Sequence, residues 1–408
     1  MRRVVVTGMA GFSPIGNDWA TIEHHLRKGL NGIRVMEDWN KYPDLNTRLG
    51  APVADFERPE HYSRKSVRSM GRVALMSTRA TELALADAGL LDNPIIQDGR
   101  MGVSYGSSTG SPDAVVDFGN MLLNHNGAAI NANSYLKMMS HTAAVNIGVF
   151  FNLKGRIIPT SSACTSGSQG IGYAYETIKY GHQDLMVAGG AEELCATEAA
   201  VFDTLYATST RNDAPHLTPR PFDRDRDGLV IGEGAGTLIL EERDHALARN
   251  ARIHAEIVGF ATNSDGSHVT QPEAETMYRA MAQALRNAGL TPEAVGYISA
   301  HGTATDRGDI AESQATYRLF GARTPISAFK SFTGHTLGAC GALEAMVAIE
   351  MMKRDWFHGT ANLDNLDEAC APLDHILGTG RDMAVDCVMS NNFAFGGINT
   401  SLLFVRAP

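Results

Sequence analysis

The sequence has few cysteines, and none of them stands in a pattern that builds a disulfide framework or a structural metal site. There are five in 408 residues, an odd number with no Cys-x-x-Cys pair. Both a disulfide scaffold and a structural zinc site need paired spacings of that kind. We therefore expect a chain whose thiols are reduced, as in the cytoplasm.

The sequence also lacks a long hydrophobic run and an excess of positive charge. No segment approaches the ~18 apolar residues of a membrane span, and the apolar run after Arg3 is too short for a secretory signal. Lys and Arg number 35 against 45 Asp and Glu, a net charge of −10. Neutralising phosphates needs the opposite balance. We expect a cytoplasmic protein with no membrane span and no nucleic-acid partner.

What the sequence does contain is a regular alternation of strand and helix patterns. The chain opens with the β-branched run "RRVVVTGMAG", which predicts a buried strand, and continues with the helical pattern "DWATIEHHLRKGL". The alternation continues to the end without a low-complexity tract. This pattern predicts an α/β fold with mostly parallel, covered sheets.

Two segments far apart in the chain share one pattern. Both "RIIPTSSACTSGSQGIGYAYETIKYGHQD" and "PISAFKSFTGHTLGACGALEAMVAIEMMKRD" consist of a short apolar strand, a Ser/Thr-rich turn and a helix that begins with small residues. The pattern indicates weak internal repetition, with one unit in each half. We place the boundary at about residue 250, which gives halves of residues 1–250 and 251–408.

Cys164 occupies the turn of the first unit, where a strand becomes a helix. A single cysteine is most often a buried structural residue. At a helix N-terminus, however, the dipole favours the thiolate, and backbone N–H groups there can stabilise an oxyanion. From position alone, a structural role and a nucleophilic role both stay open.

Two histidines and a lysine occupy comparable turns in the second half. His301 follows an apolar strand in "YISAHGTATDRGD", and Lys330 and His335 flank a second strand end in "ISAFKSFTGHTLGACGA". The histidines are too far apart in sequence for a helical metal pair. One cysteine and two histidines at strand ends suit acyl transfer, with a sulfur nucleophile and imidazole donors.

Three other motifs are weaker. "GSSTG" matches the nucleophile elbow of serine hydrolases and would make Ser108 the nucleophile. "DRDRDGLVIGEG" begins like a calcium loop, but Gly234 stands at its twelfth position in place of a bidentate glutamate. "GEGAG" lies between apolar strand residues and so fails as a dinucleotide-binding loop.

With these residues in place, the sequence resembles the β-ketoacyl-acyl carrier protein synthases (types I and II), condensing enzymes of the thiolase superfamily. The resemblance covers essentially the whole chain, and its motifs occur in the family's order. They are "VVVTGMAGFSPIG", "SSACTSGSQ", "VAGGAEE", "PFDRDRDGLVIGEGAG", "AHGTATDRGD", "KSFTGHTLGACGA" and "SNNFAFGGINTSLLF". The implied fold is the thiolase-like αβαβα arrangement of two similar halves, and no metal or organic cofactor is implied.

The resemblance implies a role for each catalytic residue. Cys164 takes an acyl group from an acyl carrier protein as a thioester. His301 and His335 assist decarboxylation of a malonyl-carrier by stabilising the enolate oxygen, and the carbanion attacks the thioester to give a 3-oxoacyl product. Lys330 looks like the supporting cation, with Glu312 as its charge partner.

The same resemblance assigns the surroundings of these groups. Thr303 and Thr305 are similar to the pair that binds the phosphopantetheine arm. Backbone N–H groups of Cys164 and Phe395 are expected to form the oxyanion hole, and Phe393 and Phe395 the gating loop. That loop departs from the family pattern at Ala394, where glycine is usual. Thr109 lies where relatives line the floor of the acyl pocket, so chain-length preference stays open. The departures point to a specialised synthase of polyene or other secondary lipid-like biosynthesis rather than the housekeeping enzyme. The family itself implies chain elongation in either fatty-acid or polyene and other secondary biosynthesis.

Partners are predicted from charge and from the family. Arg64, Lys65, Arg68 and Arg72 are spaced to form one basic helical face, which we expect to dock the acidic carrier protein. A homodimer is expected, with a heterodimer of related ketosynthases as the alternative. Other functions to be tested are a cavity-shaping partner subunit, a serine hydrolase using Ser108, and a coenzyme A-dependent thiolase or starter enzyme.

Overall fold

The structure is a computed structural model of the chain, and it describes residues 1–407. It contains sixteen strands in those residues, many of them apolar and β-branched runs buried on both faces. In chain order they are β1 (Val4–Phe12), β2 (Arg34–Val35), β3 (Leu49–Ala51), β4 (Met101–Gly106), β5 (Ile157–Thr160), β6 (Leu185–Glu192), β7 (Ile231–Gly232), β8 (Gly234–Glu242), β9 (Ala255–Ser264), β10 (Tyr297–Ser299), β11 (Pro325–Ser327), β12 (Trp356–Phe357), β13 (Asp374–His375), β14 (Arg381–Asp382), β15 (Cys387–Ala394) and β16 (Ile398–Arg406).

Twelve α-helices lie between these strands in the described residues. They are α1 (Trp19–Lys28), α2 (Arg72–Asp87), α3 (Val115–Asn124), α4 (Ala132–Met138), α5 (Thr142–Phe150), α6 (Ser166–Lys179), α7 (Ala196–Asp203), α8 (Arg243–Ala248), α9 (Ala274–Ala288), α10 (Asp306–Phe320), α11 (Lys330–Thr333) and α12 (Cys340–Arg354). No helix in residues 1–407 is long and apolar enough to cross a membrane.

Eleven of the strands form one hydrogen-bonded sheet in the order β13-β11-β10-β15-β16-β9-β1-β8-β6-β4-β5. The order repeats on either side of the β1–β9 pair. β1 pairs antiparallel with β8, β8 antiparallel with β6, and β6 and β4 continue in parallel to β5. On the other side β9, β16, β15, β10 and β11 repeat the same sequence of pairings. The two similar halves predicted from the sequence are therefore present.

The prediction of a mostly parallel sheet is wrong, because the sheet is mixed. β8 and β16 each return antiparallel to two neighbours, and in the second half the short turn between Ala394 and Ile398 makes β15 and β16 a hairpin. Strands joined by so short a connection can pair only antiparallel. The proposed boundary at residue 250 falls between α8 and β9, and it stays a prediction.

The two halves are packed as layers around a shared pair of helices. α6 and α12 lie between the two halves of the sheet, α2 and α5 cover the outer face of the first half, and α9 covers that of the second. Small residues make the inner layer possible. A Cβ at Gly167 would lie 2.8 Å from the Gly338 carbonyl, and one at Gly341 would lie 2.7 Å from the Ser168 nitrogen. This αβαβα arrangement is the thiolase-like fold.

Candidate active site

Cys164 lies at the end of β5, in a 3-10 turn (Ala163–Thr165) that leads into α6. Ala163 has a φ of 51°, a left-handed conformation that costs a non-glycine residue energy and is found where function requires it. Cys164 itself is 3% exposed. The fold thus holds the thiol at the start of the inner helix α6. Helix α12 of the other half packs against α6 and against the turn that contains Cys164.

His335 occupies the corresponding position in the second half, between α11 and the 3-10 turn that precedes α12. Its Nε2 lies 2.9 Å from Cys164 Sγ, and its Nδ1 accepts a hydrogen bond from the Leu337 N–H at 3.2 Å. Because Nδ1 is the acceptor, the ring hydrogen is on Nε2. His335 therefore presents an N–H donor to the sulfur.

His301 follows β10 and is arranged in the same way by a different group. Its Nδ1 lies 3.0 Å from Lys330 Nζ, which can only donate, so the hydrogen of this ring is also on Nε2. The His301 and His335 rings are edge-to-face with centroids 5.2 Å apart. Burial, reinforced by the Lys330 charge, holds the pKa of both imidazoles well below the usual range. Both rings are neutral donors.

The structure brings the three predicted side chains together. One sulfur and two imidazole nitrogens, from Cys164, His301 and His335, lie within 4.8 Å of one another. They share a cavity of about 530 Å³ that opens to solvent. Soft sulfur and imidazole ligands can bind zinc. Here, however, both Nδ1 atoms are occupied, both Nε2 atoms carry hydrogens, and the adjacent Lys330 ammonium repels cations. The arrangement favours a developing negative charge.

The surroundings of Cys164 act on the pKa of its thiol in opposite directions. Burial raises the pKa of the Cys164 thiol to about 11, although the Lys330 charge and the backbone N–H groups of Phe395 and Cys164 act to lower it. Burial thus favours the thiol, whereas the Lys330 charge and these N–H groups favour the thiolate.

Glu312 is not the charge partner of Lys330, which corrects the sequence-based assignment. Lys330 Nζ instead lies 2.5 Å from Glu344 Oε1, and both side chains are 1% exposed. Burial opposes the Lys330 charge, but nearby acidic groups outweigh it and raise the pKa of Lys330. The second Glu344 oxygen accepts from Asn392 Nδ2 at 2.7 Å.

Glu312 positions the His301 turn. Its two carboxylate oxygens accept the backbone N–H groups of His301 and Gly302, each at 2.7 Å. Sequence reasoning assigned no role to Glu344 and Asn392. Glu344 is a charged residue among the small and apolar residues at the start of α12. Because an unpaired charge is rarely buried, this position could have indicated that Glu344 has a buried cationic partner.

The residues predicted to hold the pantetheine arm and to form the gate lie around the same cavity. Thr303 and Thr305 line it, and their hydroxyls lie 2.9 Å apart. Phe393 and Phe395 line it as well, and the Phe395 ring packs against Phe202 with centroids 5.0 Å apart. Their roles stay predictions, but their placement suits them.

The Ala394 substitution falls outside the tight part of the gating turn. Ala394 is the last residue of β15 and pairs with Ile398, while Gly396 and Gly397 take the left-handed conformations, with φ of 84° and 71°. Glycine is needed at those two positions and not at Ala394.

The serine-hydrolase interpretation is not supported by the surroundings of Ser108. Its hydroxyl donates to the buried carboxylate of Glu192, and no imidazole is bonded to it within residues 1–407. A nucleophilic serine needs a base held by hydrogen bonding. Thr109, the predicted floor of the acyl pocket, is exposed, and its hydroxyl lies 3.0 Å from Glu198 Oε1.

The predicted basic helical face is wrong in two respects. Residues 64–69 form turns, and α2 begins only at Arg72. Arg72 is engaged by the buried Glu233 through Nε at 2.9 Å and Nη2 at 2.7 Å. Exposed basic side chains remain at Arg64, Lys65 and Arg68.

The fold and the site together define a thiolase-like protein whose central site combines one cysteine with two histidines. Comparison with known proteins identifies the family. The description "Beta-ketoacyl synthase, N-terminal domain" matches residues 1–246, and "Beta-ketoacyl synthase, C-terminal domain" matches residues 254–364. The chain belongs to the beta-ketoacyl synthase family.

Relatives and solved structures agree with this membership. The chain is 37% identical over 413 residues to 3-oxoacyl-[acyl-carrier-protein] synthase 2 of Vibrio cholerae, covering 99% of each. It is 36% identical to synthase 1 of Escherichia coli K12, covering 99% of this chain and 98% of the relative. A beta-ketoacyl synthase from Burkholderia phymatum superposes with a TM-score of 0.99 at 61% identity, and the ishigamide ketosynthase/chain length factor with 0.89 at 30%; each superposition covers 100% of both chains.

Proposed function

We propose that this enzyme is an acyltransferase that condenses an acyl group, held as a thioester on Cys164, with malonyl-acyl carrier protein. The products are carbon dioxide and 3-oxoacyl-acyl carrier protein. The observation that carries the proposal is the meeting of Cys164 Sγ with two imidazole N–H donors inside one cavity. The tautomers of His301 and His335 make both rings donors, and donors are what a decarboxylation needs.

In the first step the acyl group moves from the carrier to the enzyme. Cys164 Sγ attacks the acyl carbonyl, a new C–S bond forms, and the bond to the carrier thiol breaks. The cysteine proton leaves with that thiol. The backbone N–H groups of Cys164 and Phe395 hold the tetrahedral oxyanion, and preorganised donors of this kind lower such barriers.

In the second step malonyl-carrier loses its carboxylate as carbon dioxide. The electron pair of the broken C–C bond enters the thioester as an enolate, whose oxygen accepts from the Nε2–H groups of His301 and His335. One such donor contributes on the order of 10²- to 10³-fold in rate. The enolate carbon then attacks the acyl thioester, the C–S bond breaks, and Cys164 leaves as a thiolate that takes up a proton.

The other interpretations fit less well. A partner subunit that only shapes a cavity has no use for a nucleophile with donors arranged around it, and a hydrolase would need a base at Ser108. Degradative thiolases and starter enzymes of the superfamily use a second cysteine or a His/Asn pair, whereas this site has two histidines. Cys340 lies close to the site, but its thiol donates to the Cys164 carbonyl at 3.2 Å.

Two half-reactions test the proposal. Mass spectrometry of enzyme incubated with acyl-carrier proteins is expected to show the acyl group on Cys164, and carbon dioxide release from malonyl-carrier reports the second step. Cys164→Ala should lose acylation and keep decarboxylation, while His335→Ala should do the reverse. Acylation that persists in Cys164→Ala, or decarboxylation unaffected by His335→Ala, would contradict the proposal. Labelling of Ser108 by a fluorophosphonate would instead favour hydrolysis.

The exposed basic side chains Arg64, Lys65 and Arg68 are the proposed docking patch for the acidic carrier. On a chain with a net charge of −10, such a patch attracts an acidic partner locally. One solved neighbour is described as a type II polyketide acyl-carrier protein in complex with its ketosynthase, at 29% identity.

Charge reversal separates docking from chemistry. Lys65→Glu with Arg68→Glu should raise KM for acyl-carrier substrates and spare small thioester mimics. Lys28→Glu with Arg286→Glu reverses two exposed charges outside the patch as a matched control. Equal losses with both kinds of substrate, or equal effects of the control pair, would refute docking at this patch.

A second copy of the chain is the proposed partner for the apolar surface around α3. Leu122 and Leu123 on this helix are 76% and 81% exposed, and Ile157 on the edge strand β5 is 41% exposed. Patches of this kind and unpaired edge strands mark association surfaces. Leu122→Glu should convert a dimer to a monomer in light scattering. A wild-type monomer would favour the heterodimer alternative, since two solved neighbours are ketosynthases with chain length factors.

The biosynthetic setting is proposed as the elongation of fatty-acid or polyene chains. The relatives are named 3-oxoacyl-[acyl-carrier-protein] synthases, and the ishigamide ketosynthase/chain length factor is among the structural neighbours. A cytoplasmic location stays a prediction from the sequence. The acyl groups retained on Cys164 from a panel of carriers would discriminate between the two settings.

A further inference from the structure

An acidic cluster of Glu192, Glu193 and Glu198 lies next to Cys164 but outside the open cavity. Glu192 Oε2 accepts the Gly338 N–H at 3.0 Å, in the turn that follows His335. Glu198 lies on α7, whose residues Ala199 and Phe202 pack in one apolar cluster with Cys164. The cluster is therefore a neighbour of the nucleophile that the condensation mechanism does not use.

Within this cluster Glu198 is the least satisfied member. Glu192 receives the Ser108 and Gly338 N–H groups at 2.8 and 3.0 Å, and Glu193 receives the Val73 N–H at 2.9 Å. Glu198 is 5% exposed, and its Oε2 has no hydrogen-bond partner among residues 1–407. Buried polar groups are nearly always hydrogen-bonded, so this oxygen lacks something that the chain itself does not provide.

Glu198 has an unused hydrogen-bonding capacity at Oε2. The Thr109 hydroxyl lies 3.0 Å from Glu198 Oε1 and 3.5 Å from Glu192 Oε1, so a single hydrogen serves two carboxyl groups. Burial, reinforced by the Glu192 charge, raises the pKa of Glu198 well above its usual value. Burial also raises the pKa of Glu192 to about 7. A protonated Glu198 can donate one hydrogen bond and accept another.

The position of Glu198 suits a contact with the acyl chain bound to Cys164. The carrier arm needs the open cavity, which Thr303 and Thr305 line, so the acyl chain must leave the sulfur in another direction. One such direction follows the apolar cluster that Cys164 shares with Ala199 and Phe202, and Ala199 is the neighbour of Glu198 on α7. A second unpartnered oxygen, Ser162 Oγ, lies two residues before the nucleophile.

We infer that Glu198 is a specificity-determining residue that selects acyl chains bearing a hydroxyl or carbonyl oxygen over saturated chains of the same length. The inference rests on the proposed acylation of Cys164 and deepens it. A saturated chain covers Glu198 without offering it a partner, whereas an oxygenated chain completes its hydrogen bonds. Sites with a buried polar group discriminate strongly against an analogue that lacks the matching group.

Competition between two thioesters on the whole enzyme tests this inference. Octanoyl and hydroxyoctanoyl carriers, with the hydroxyl moved along the chain, are mixed in equal amounts, and mass spectrometry measures the initial rates of Cys164 acylation. Wild type is expected to favour at least one hydroxy isomer by about 10-fold or more. Glu198→Leu should abolish or reverse the preference, and Glu198→Gln should keep part of it. Thr197→Ala, an exposed neighbour on α7, is the matched control and should behave as wild type.

The outcomes separate this inference from the proposed function. Equal acylation by octanoyl and by every hydroxy isomer in wild type would overturn the specificity role while leaving the condensation intact. A preference that survives unchanged in Glu198→Leu would overturn it too. If Cys164 takes no acyl group from any carrier, the proposed function itself fails, and the inference fails with it. Because the first comparison uses wild type alone, a poorly folding variant does not decide the result.

Discussion

The pairing of Lys330 with Glu344 gives the sharpest test of how the site is built. Both groups are almost fully buried and lie 2.5 Å apart. We consider Glu344→Leu, Lys330→Met and the double variant that combines these two changes. Each single change leaves one polar group buried without its partner, whereas the double change removes both and fills the space with apolar atoms.

The expected magnitudes follow from burial. Breaking a buried ion pair by removing one partner costs about 3–5 kcal/mol, while replacing both by apolar groups is close to neutral. A chain of 408 residues has an unfolding entropy of about 0.9 kcal/mol per kelvin, so a loss of about 4 kcal/mol lowers Tm by about 4–5 °C. The double variant should therefore melt near wild type.

Calorimetry measures the stabilities, and carbon dioxide release from malonyl-carrier measures the chemistry. The two readouts should separate. All variants that lack Lys330 lose the group that fixes the hydrogen of His301 on Nε2, so we expect decarboxylation to fall by about 10²-fold even in the stable double variant. Stability returns in the double variant and activity does not.

Additivity would refute this reasoning. Independent sites give effects that add within about 0.5 kcal/mol, so a double variant that loses the sum of the single losses would show that the two groups do not interact. Glu312→Gln, combined with Lys330→Met, is the control. Coupling of Lys330 to Glu312 in place of Glu344 would restore the pairing expected from the sequence.

Three further outcomes follow from the structure. His335→Ala should slow decarboxylation by about 10²- to 10³-fold, while Cys164 is still acylated, as single-turnover mass spectrometry would show. Burial raises the pKa of Glu312 to about 8, so this group stabilises the fold at low pH and loses that contribution as pH rises from its pKa in the unfolded chain, near 4.5, toward 8. The Tm of Glu312→Gln relative to wild type should accordingly rise over that pH range. A difference in Tm that does not change with pH would contradict the raised pKa. Arg72→Ala removes the bidentate partner of the buried Glu233 and should lower the free energy of unfolding by about 2–3 kcal/mol in denaturant titrations, with KM for carrier substrates unchanged. A raised KM would show that Arg72 takes part in carrier docking, as the sequence predicted.

Much of the site was predictable because its residues lie at strand ends. Cys164, His301 and His335 each stand beside glycine or other small residues that end a strand, and such turns are where an α/β fold exposes chemistry. The repeated strand–turn–helix units then indicated one such turn in each half of the chain. That part of the prediction depended on local patterns, which the sequence displays directly.

Other parts depended on contacts that no local pattern displays. The charge spacing of residues 64–72 resembled a helix, but Ser66 N–H bonds Ser63 Oγ at 3.1 Å, a local alternative that competes with helix formation. Arg72 is held by Glu233, 161 residues away. Glu344 and Glu312 are equally buried acids in the second half, and only the packing of α12 decides which one reaches Lys330.

The shared inner layer also bears on how the chain gains and loses its structure. Neither α6 nor α12 faces solvent along one side, since the opposite half of the fold covers each of them. Cys164 and the two histidines come together only where these helices pack against each other. A fragment ending near residue 250 would expose to water the small-residue face of α6, on which Gly167 packs against Gly338 and α12. Cooperative unfolding of both halves, with simultaneous loss of the reactive centre, is the natural consequence.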